Sequence, residues 1–324
     1  MQNRYDLVCI GVALVDSIIK GFDPKPISAS GYRAASGSLN VGGEAVNEAV
    51  AAAKLGMRAA ILCALGEDAA GEMVTDLLCR SGVDTGLIVR SREHPTPVTT
   101  MFVNDDGTRQ SITNGAHRYN FHPERYSDRI LQSDAVILGS LFRAPFDESD
   151  VILGVLRAVK EQGTLVIADT KLPNFHPLNL GEIRDALPLI DYITPNEDEA
   201  KYYTGKNDPE EMADVFLDYG IGNVIIKLGS KGCLFKNRDR VIRLPACSIR
   251  AVDATGAGDN FVAGFASELL RGSDVEQALR FANACGAICT TAVGAGTALR
   301  DREQVLSFLS SGAFAAEIPN PLKG

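Results

Sequence analysis

Apolar residues along the 324-residue chain fall into two alternating patterns. Short runs rich in Val, Ile, Leu and Ala, at 6–12, 59–65, 135–138, 165–169, 192–195 and 223–228, read as strands. Between them, 45–55, 72–81, 150–162, 183–186 and 209–219 carry apolar residues at helical spacing, and after Ala257 only helices follow. This alternation predicts βαβ units and a mostly parallel sheet. Two stretches, 18–40 and 97–112, break the rhythm; the second contains VTTMFVNDDGTRQSI, which alternates on both sides of a D-D-G turn and predicts a hairpin. The expected organisation is one domain over 1–324, with a main body of about 1–16, 41–96 and 113–324 and β-lid insertions of about 17–40 and 97–112.

Composition narrows the partners. The formal net charge is −9 and no Lys/Arg run forms a basic stripe, which argues against a nucleic-acid partner while leaving room for a small anion gripped by local dipoles. The opening MQNRYDLVCIGVALVDSII has no basic region ahead of a long apolar stretch, so no signal peptide is expected, and no run of about 18 to 20 uncharged apolar residues predicts a membrane helix. Seven cysteines, Cys9, Cys63, Cys79, Cys233, Cys247, Cys285 and Cys289, form no C-x-x-C pair and read as reduced core thiols of a cytoplasmic protein. His117 and His122 have neither helical metal spacing nor a nearby third ligand, and read as loop residues.

Four short motifs carry candidate chemistry. In AVDATGAGDNFVAGF, strand-like IRAVDA runs into Thr255-Gly256-Ala257-Gly258-Asp259 just before a helical apolar face. Small residues let successive N–H groups point one way, and a helix N-terminus adds its positive dipole end, which makes a seat for an anion. Asp259 reads either as a helix cap or as the base that takes a proton from an attacking alcohol during phosphoryl transfer. Gly42 and Gly43, with Asn47 one turn into an alanine-rich helix, read either as a turn and cap or as a cradle for a hydroxyl-rich ligand. Asn196 and Glu199 share a face, either as a capping box or as a site for Mg²⁺-bound water. Lys227-Leu228-Gly229-Ser230-Lys231-Gly232 is either a plain turn or a place where a nucleotide passes close to backbone.

Taken in order, G-G-x-x-x-N, N-x-x-E, K-L-G-x-x-G and D-x-T-G-A-G-D resemble the ribokinase-like (PfkB-type) carbohydrate kinases from Leu7 to about Leu309. The resemblance implies a ribokinase-like three-layer α/β/α fold with a mostly parallel central sheet and a small β-sheet lid. It also implies ATP-dependent transfer of a phosphoryl group to a hydroxyl of a small sugar or sugar acid, with a nucleoside as an alternative acceptor. Asp259 would be the base, and Gly256, Ala257 and Gly258 the anion hole. Asp16, at the end of the first strand, would hold sugar hydroxyls together with Gly42, Gly43 and Asn47, while apolar Phe102 of the lid reads either as a cover over the substrate or as core packing of the hairpin. Asn196, Lys227, Gly229, Gly232 and Asn283 would serve the nucleotide, Asn283 equally reading as a cap or brace between packed helices, and Glu199 would serve Mg²⁺ through water. Asp253 and the 293–298 loop match the place of a monovalent cation such as K⁺, and the lid strands suggest a homodimer.

Departures from the ribokinase pattern bear on the acceptor. Leu14 stands where ribokinases place an amide, Glu44-Ala45 replaces Lys-Gly, and Asp169-Thr170-Lys171 leaves Lys171 either meeting an acidic sugar or simply exposed. Two other classes compete with the kinase. A non-catalytic sugar-binding regulator has no reason to keep both the anion hole and Asp259, and a dinucleotide-dependent oxidoreductase lacks its glycine spacing at Gly11-Val12-Ala13-Leu14-Val15.

Overall fold

The first apolar run, Tyr5–Gly11, is strand β1, and its side chains divide between two cores. Leu7 and Cys9 join one cluster of buried residues while Val8 and Ile10 join the other. That division follows from the two-residue period of a strand covered on both faces. The computed structural model describes residues 5–20, 34–103, 109–114, 121–130, 132–174 and 176–312.

Along the chain β2 (Leu14–Lys20) and β3 (Ser36–Gly42) lead into α1 (Glu44–Lys54), then β4 (Ala59–Leu62), β5 (Ala64–Gly66) and α2 (Ala69–Arg80). Strands β6 (Val89–Ser91), β7 (Val98–Val103) and β8 (Arg109–Thr113) precede the short α3 (Ser127–Ile130). The middle of the chain holds β9 (Ser133–Leu141), α4 (Ser149–Glu161), β10 (Leu165–Thr170), β11 (Tyr192–Ile193), α5 (Glu197–Thr204) and α6 (Pro209–Asp218). Last come β12 (Asn223–Lys227), β13 (Cys233–Lys236), β14 (Val241–Leu244), α7 (Ala257–Leu270), α8 (Val275–Cys289) and α9 (Arg302–Ser310).

The eight-stranded sheet has the order β14-β13-β12-β11-β10-β9-β1-β4. It is parallel from β12 to β4 and antiparallel only at β12–β13 and β13–β14. One core lies between the sheet and α1, α7 and α8, the other between the sheet and α4 and α6, giving three layers. A separate four-stranded sheet has the order β3-β2-β7-β8, with β2 parallel to β7 and the other pairs antiparallel. In this sheet Leu39 is 61% and Ile112 69% exposed. Every cysteine is a free thiol, buried except for Cys79. Among the described residues no helix is long and apolar enough to cross a membrane.

Several sequence expectations change. Asp16 does not end the first strand: the chain leaves the large sheet after Gly11, and Asp16 sits on β2 of the small one. The apolar run simply continues across that break, so it reads as one strand. Residues 183–186 form turns rather than a helix, followed by a 3-10 turn at Leu187–Leu189. Pro188 supplies no backbone N–H to extend a helix there. The stretch 249–254 is irregular, not a strand. The D-D-G turn at 105–107, residues 21–33 of the lid insertion and His117 lie outside the described residues. His122 is paired with Glu124, with Nδ1 3.3 Å from Oε1.

Candidate active site

Parallel strands deliver their carboxyl ends to one rim of the sheet, where ligand crevices form in open α/β folds. Here β10 ends in Asp169 and Thr170, β11 leads to Asn196, and β12 ends in Lys227. The same rim receives the N-terminus of α7 and the Gly42-Gly43 entry to α1. Between them lies a cavity of about 1010 Å³ lined by Asp16, Asn47, Asn196, Glu199, Lys227 and Asp259, among others.

Two glycines make this meeting possible. Gly43 has φ 104°, and a Cβ on it would lie 2.2 Å from the Val12 carbonyl oxygen. Gly256, the residue before α7, has φ 76°, and a Cβ there would lie 2.3 Å from that of Ala295. A left-handed backbone in close contact requires glycine at both positions.

Asp259 occupies the first turn of α7 and is only 5% exposed. Its Oδ2 accepts a hydrogen bond of 2.6 Å from Asn47 Nδ2 on α1. Burial pushes its carboxyl up to about 6; Lys171 and the Asn47 bond pull it down, while Glu44 and Asp169 push it further up. The result is a weak base that is largely ionised at neutral pH. Gly256 and Gly258 line the cavity beside it, whereas the Ala257 N–H donates to the Ala254 carbonyl at 3.2 Å.

Lys227 reaches into the same corner, since a Cβ on Gly258 would lie 3.2 Å from its ammonium. Asp169 holds that ammonium at 2.5 Å and accepts from the Thr194 hydroxyl at 2.8 Å. Removing one partner of so buried a pair would cost about 3 to 5 kcal/mol. Asn196 and Glu199 form a reciprocal capping box on α5, each bond 2.9 Å, and both also line the cavity. Glu199 Oε2 additionally accepts from the Thr170 hydroxyl at 2.9 Å; burial, then Asp169, raises its carboxyl, while Lys227 and Lys171 oppose the rise.

Asp253 ties two loops together. It accepts from the N–H and hydroxyl of Thr255 at 3.0 and 2.7 Å, and from the Gly294 N–H at 2.9 Å. Lys54 donates to the Gly296 and Leu299 carbonyls of the neighbouring loop at 2.5 and 2.9 Å. Asp16 and Gly42 adjoin each other on the small-sheet side of the cavity, where a Cβ on Gly42 would lie 2.4 Å from Asp16 Oδ2.

Besides Ala257, three expected residues stand off the cavity wall. Phe102 is half-buried on β7, paired in register with Ile19 and Gln110. Gly232 is a turn glycine with φ 97° packed against the Leu244 carbonyl. Asn283 is buried on α8, with Nδ2 3.5 Å from both Cys233 Sγ and the Pro245 carbonyl. Lys171 is neither free nor simply exposed: its ammonium lies 3.2 Å from Glu44. Sequence reasoning missed the Asp169–Lys227 pair and Glu48, which is wholly buried behind the site. For Asp169 a signal existed, an acid at the carboxyl end of a parallel strand; for Glu48, inside an alanine-rich helix, there was none.

A model of the pfkB family carbohydrate kinases matches residues 5–302. The chain belongs to that family of sugar kinases. It is 30% identical over 277 residues to a ribokinase of Haemophilus influenzae, covering 83% of this chain and 87% of the relative. It is also 30% identical over 284 residues to a 2-dehydro-3-deoxygluconokinase of Bacillus subtilis, covering 85% and 88%. The solved structure of Arabidopsis thaliana ribokinase complexed with ribose and ATP is similar with a TM-score of 0.84 and 28% identity, over 95% of this chain and 99% of that one.

Proposed function

We propose that the cavity is where this sugar kinase moves a phosphoryl group from ATP to a primary hydroxyl of a small sugar, with Asp259 as the base. The observation that carries the reading is the joining of the two halves. The α7 N-terminus and the Gly42-Gly43-Asn47 segment face one cavity, and the Asn47–Asp259 bond locks them together.

In this reading Asp16, Asn47 and the Gly42-Gly43 backbone orient the acceptor hydroxyls, and Asp259 receives the proton of the attacking one. A loose transition state releases that proton late, so a carboxylate near 6 is basic enough. Gly256 and Gly258 allow backbone to approach the migrating group, and the dipole end of α7 with the Lys227 ammonium offsets its charge. ATP, as in the ribose and ATP complex of the Arabidopsis relative, would supply the phosphoryl group. The cavity volume and its Lys227–Gly229 wall suit a nucleotide beside a sugar.

Mg²⁺ would neutralise phosphate charge. Among the described residues no cluster of three metal-ligating side chains exists, and Glu199 with Asn196 suits an ion that keeps most of its water. Closing the small sheet over the acceptor would exclude water. The test is ADP release over a panel of pentoses, hexoses and nucleosides; acceptor-dependent release supports the reading, and ADP release indifferent to every acceptor contradicts it.

A further inference from the structure

The acceptor end of the cavity is rich in carboxylates. Asp16, Glu44 and Asp259 line it together with Asn47. Lys171 is the cation beside them, and Glu44 already holds it at 3.2 Å, both side chains about three-quarters buried. We infer that Glu44 and Lys171 act as a charge filter, so that the site takes a neutral or amine-bearing polyol and rejects one carrying a carboxylate or phosphate. The inference rests on the sugar-kinase reading and narrows its acceptor.

The pairing is built into the backbone. Glu44 stands in the first turn of α1, directly after the left-handed Gly43. Lys171 follows β10, where its N–H donates to the Leu141 carbonyl at 3.0 Å and its carbonyl accepts from the Tyr203 hydroxyl at 2.6 Å. Both residues therefore present their side chains from fixed positions. Burial works against the Lys171 charge, yet Glu44 first, then Asp259 and Asp169, hold its ammonium protonated.

The other cations on the wall are also engaged or distant. Lys227 is held by Asp169, Lys54 by the Gly296 and Leu299 carbonyls, and Arg80 by Asp76. Lys20 is exposed at the outer end of β2. The Asp16 carboxylate, by contrast, has no hydrogen bond or ion pair among the described residues, and burial and Glu44 raise it. Hydroxyl groups would donate to these oxygens, and an amine would add attraction. A carboxylate would meet like charge, with each close contact lowering its affinity on the order of tenfold or more.

The experiment compares acceptors matched in skeleton: ribose with ribonate, and glucose with gluconate and glucosamine. ADP release gives kcat/KM for wild type, E44Q and K171M, with folding checked by thermal melting. The filter predicts that in wild type each neutral or amine member exceeds its acid by about tenfold or more. It also predicts that E44Q, by releasing Lys171, shifts that ratio toward the acid by a similar factor while K171M does not. An acid used as well as its neutral partner by wild type, or an unchanged ratio in folded E44Q, overturns it. Should E44Q not fold, the wild-type ratios decide. If nothing is phosphorylated, the kinase reading fails by itself; calorimetric binding of the same compounds then reads the preference, and equal binding of acid and neutral members, or none, overturns the filter.

Discussion

Asn47 and Asp259 are separated by 212 positions in sequence, yet the amide of the first donates to the carboxylate of the second at 2.6 Å. That bond favours the charged form of Asp259 against the burial that raises it. Activity that depends on ionised Asp259 should fall as pH drops through about 6. N47A removes a force that lowers the carboxyl, so its acid limb should move to higher pH, and kcat should fall by about 10- to 100-fold, the worth of a hydrogen bond to a charged group. A pH–rate profile of N47A that overlays the wild type would deny Asn47 this positioning role.

Glu48 makes a separate prediction about stability. It is 0% exposed, neither carboxyl oxygen has a hydrogen-bond partner among the described residues, and burial with Asp169, Asp259 and Glu44 raises it well above 4.5. A carboxyl raised on folding contributes stability that is complete below its unfolded value and is lost as pH rises through the folded one. The near-isosteric E48Q has no such proton to lose. Its melting temperature minus that of wild type should therefore grow with pH above about 4.5, as read by thermal melts from pH 4 to 8. A constant difference would mean that Glu48 is not raised.

Gly256 and Gly82 share a positive φ, 76° and 80°, but not their surroundings. A Cβ on Gly82 would meet nothing within 4 Å, whereas one on Gly256 would overlap Ala295. G82A should cost only the left-handed strain, about 1 kcal/mol, and leave activity intact. G256A should destabilise more and also lower kcat, because the α7 N-terminus must move. Denaturant unfolding and ADP release on the two variants check this; equal effects would contradict it.

Much of the architecture was legible because strands and helices of different period alternate along the chain, and a parallel sheet follows from that order. The run from Leu7 to Ile19 misled, since its apolar content hides the transfer from one sheet to another between Gly11 and Leu14. The antiparallel strands after Lys227 carry too few residues for a clear period. In the site, Asp259, Gly256 and Gly258 were visible as small residues and an acid before an apolar helical face. The Lys227–Asp169 and Lys171–Glu44 pairs were not, because they join residues 58 and 127 positions apart that only the sheet order brings together.

In the proposed reaction the Asp259 carboxylate takes the proton of the acceptor. The direct measurement is single-turnover phosphoryl transfer by D259N, with sugar and ATP binding followed by calorimetry on the same sample. Binding should remain within a few-fold of wild type while the transfer rate falls by about 10² or more, the range of a positioned general base. Transfer at the wild-type rate with binding intact would contradict the claim.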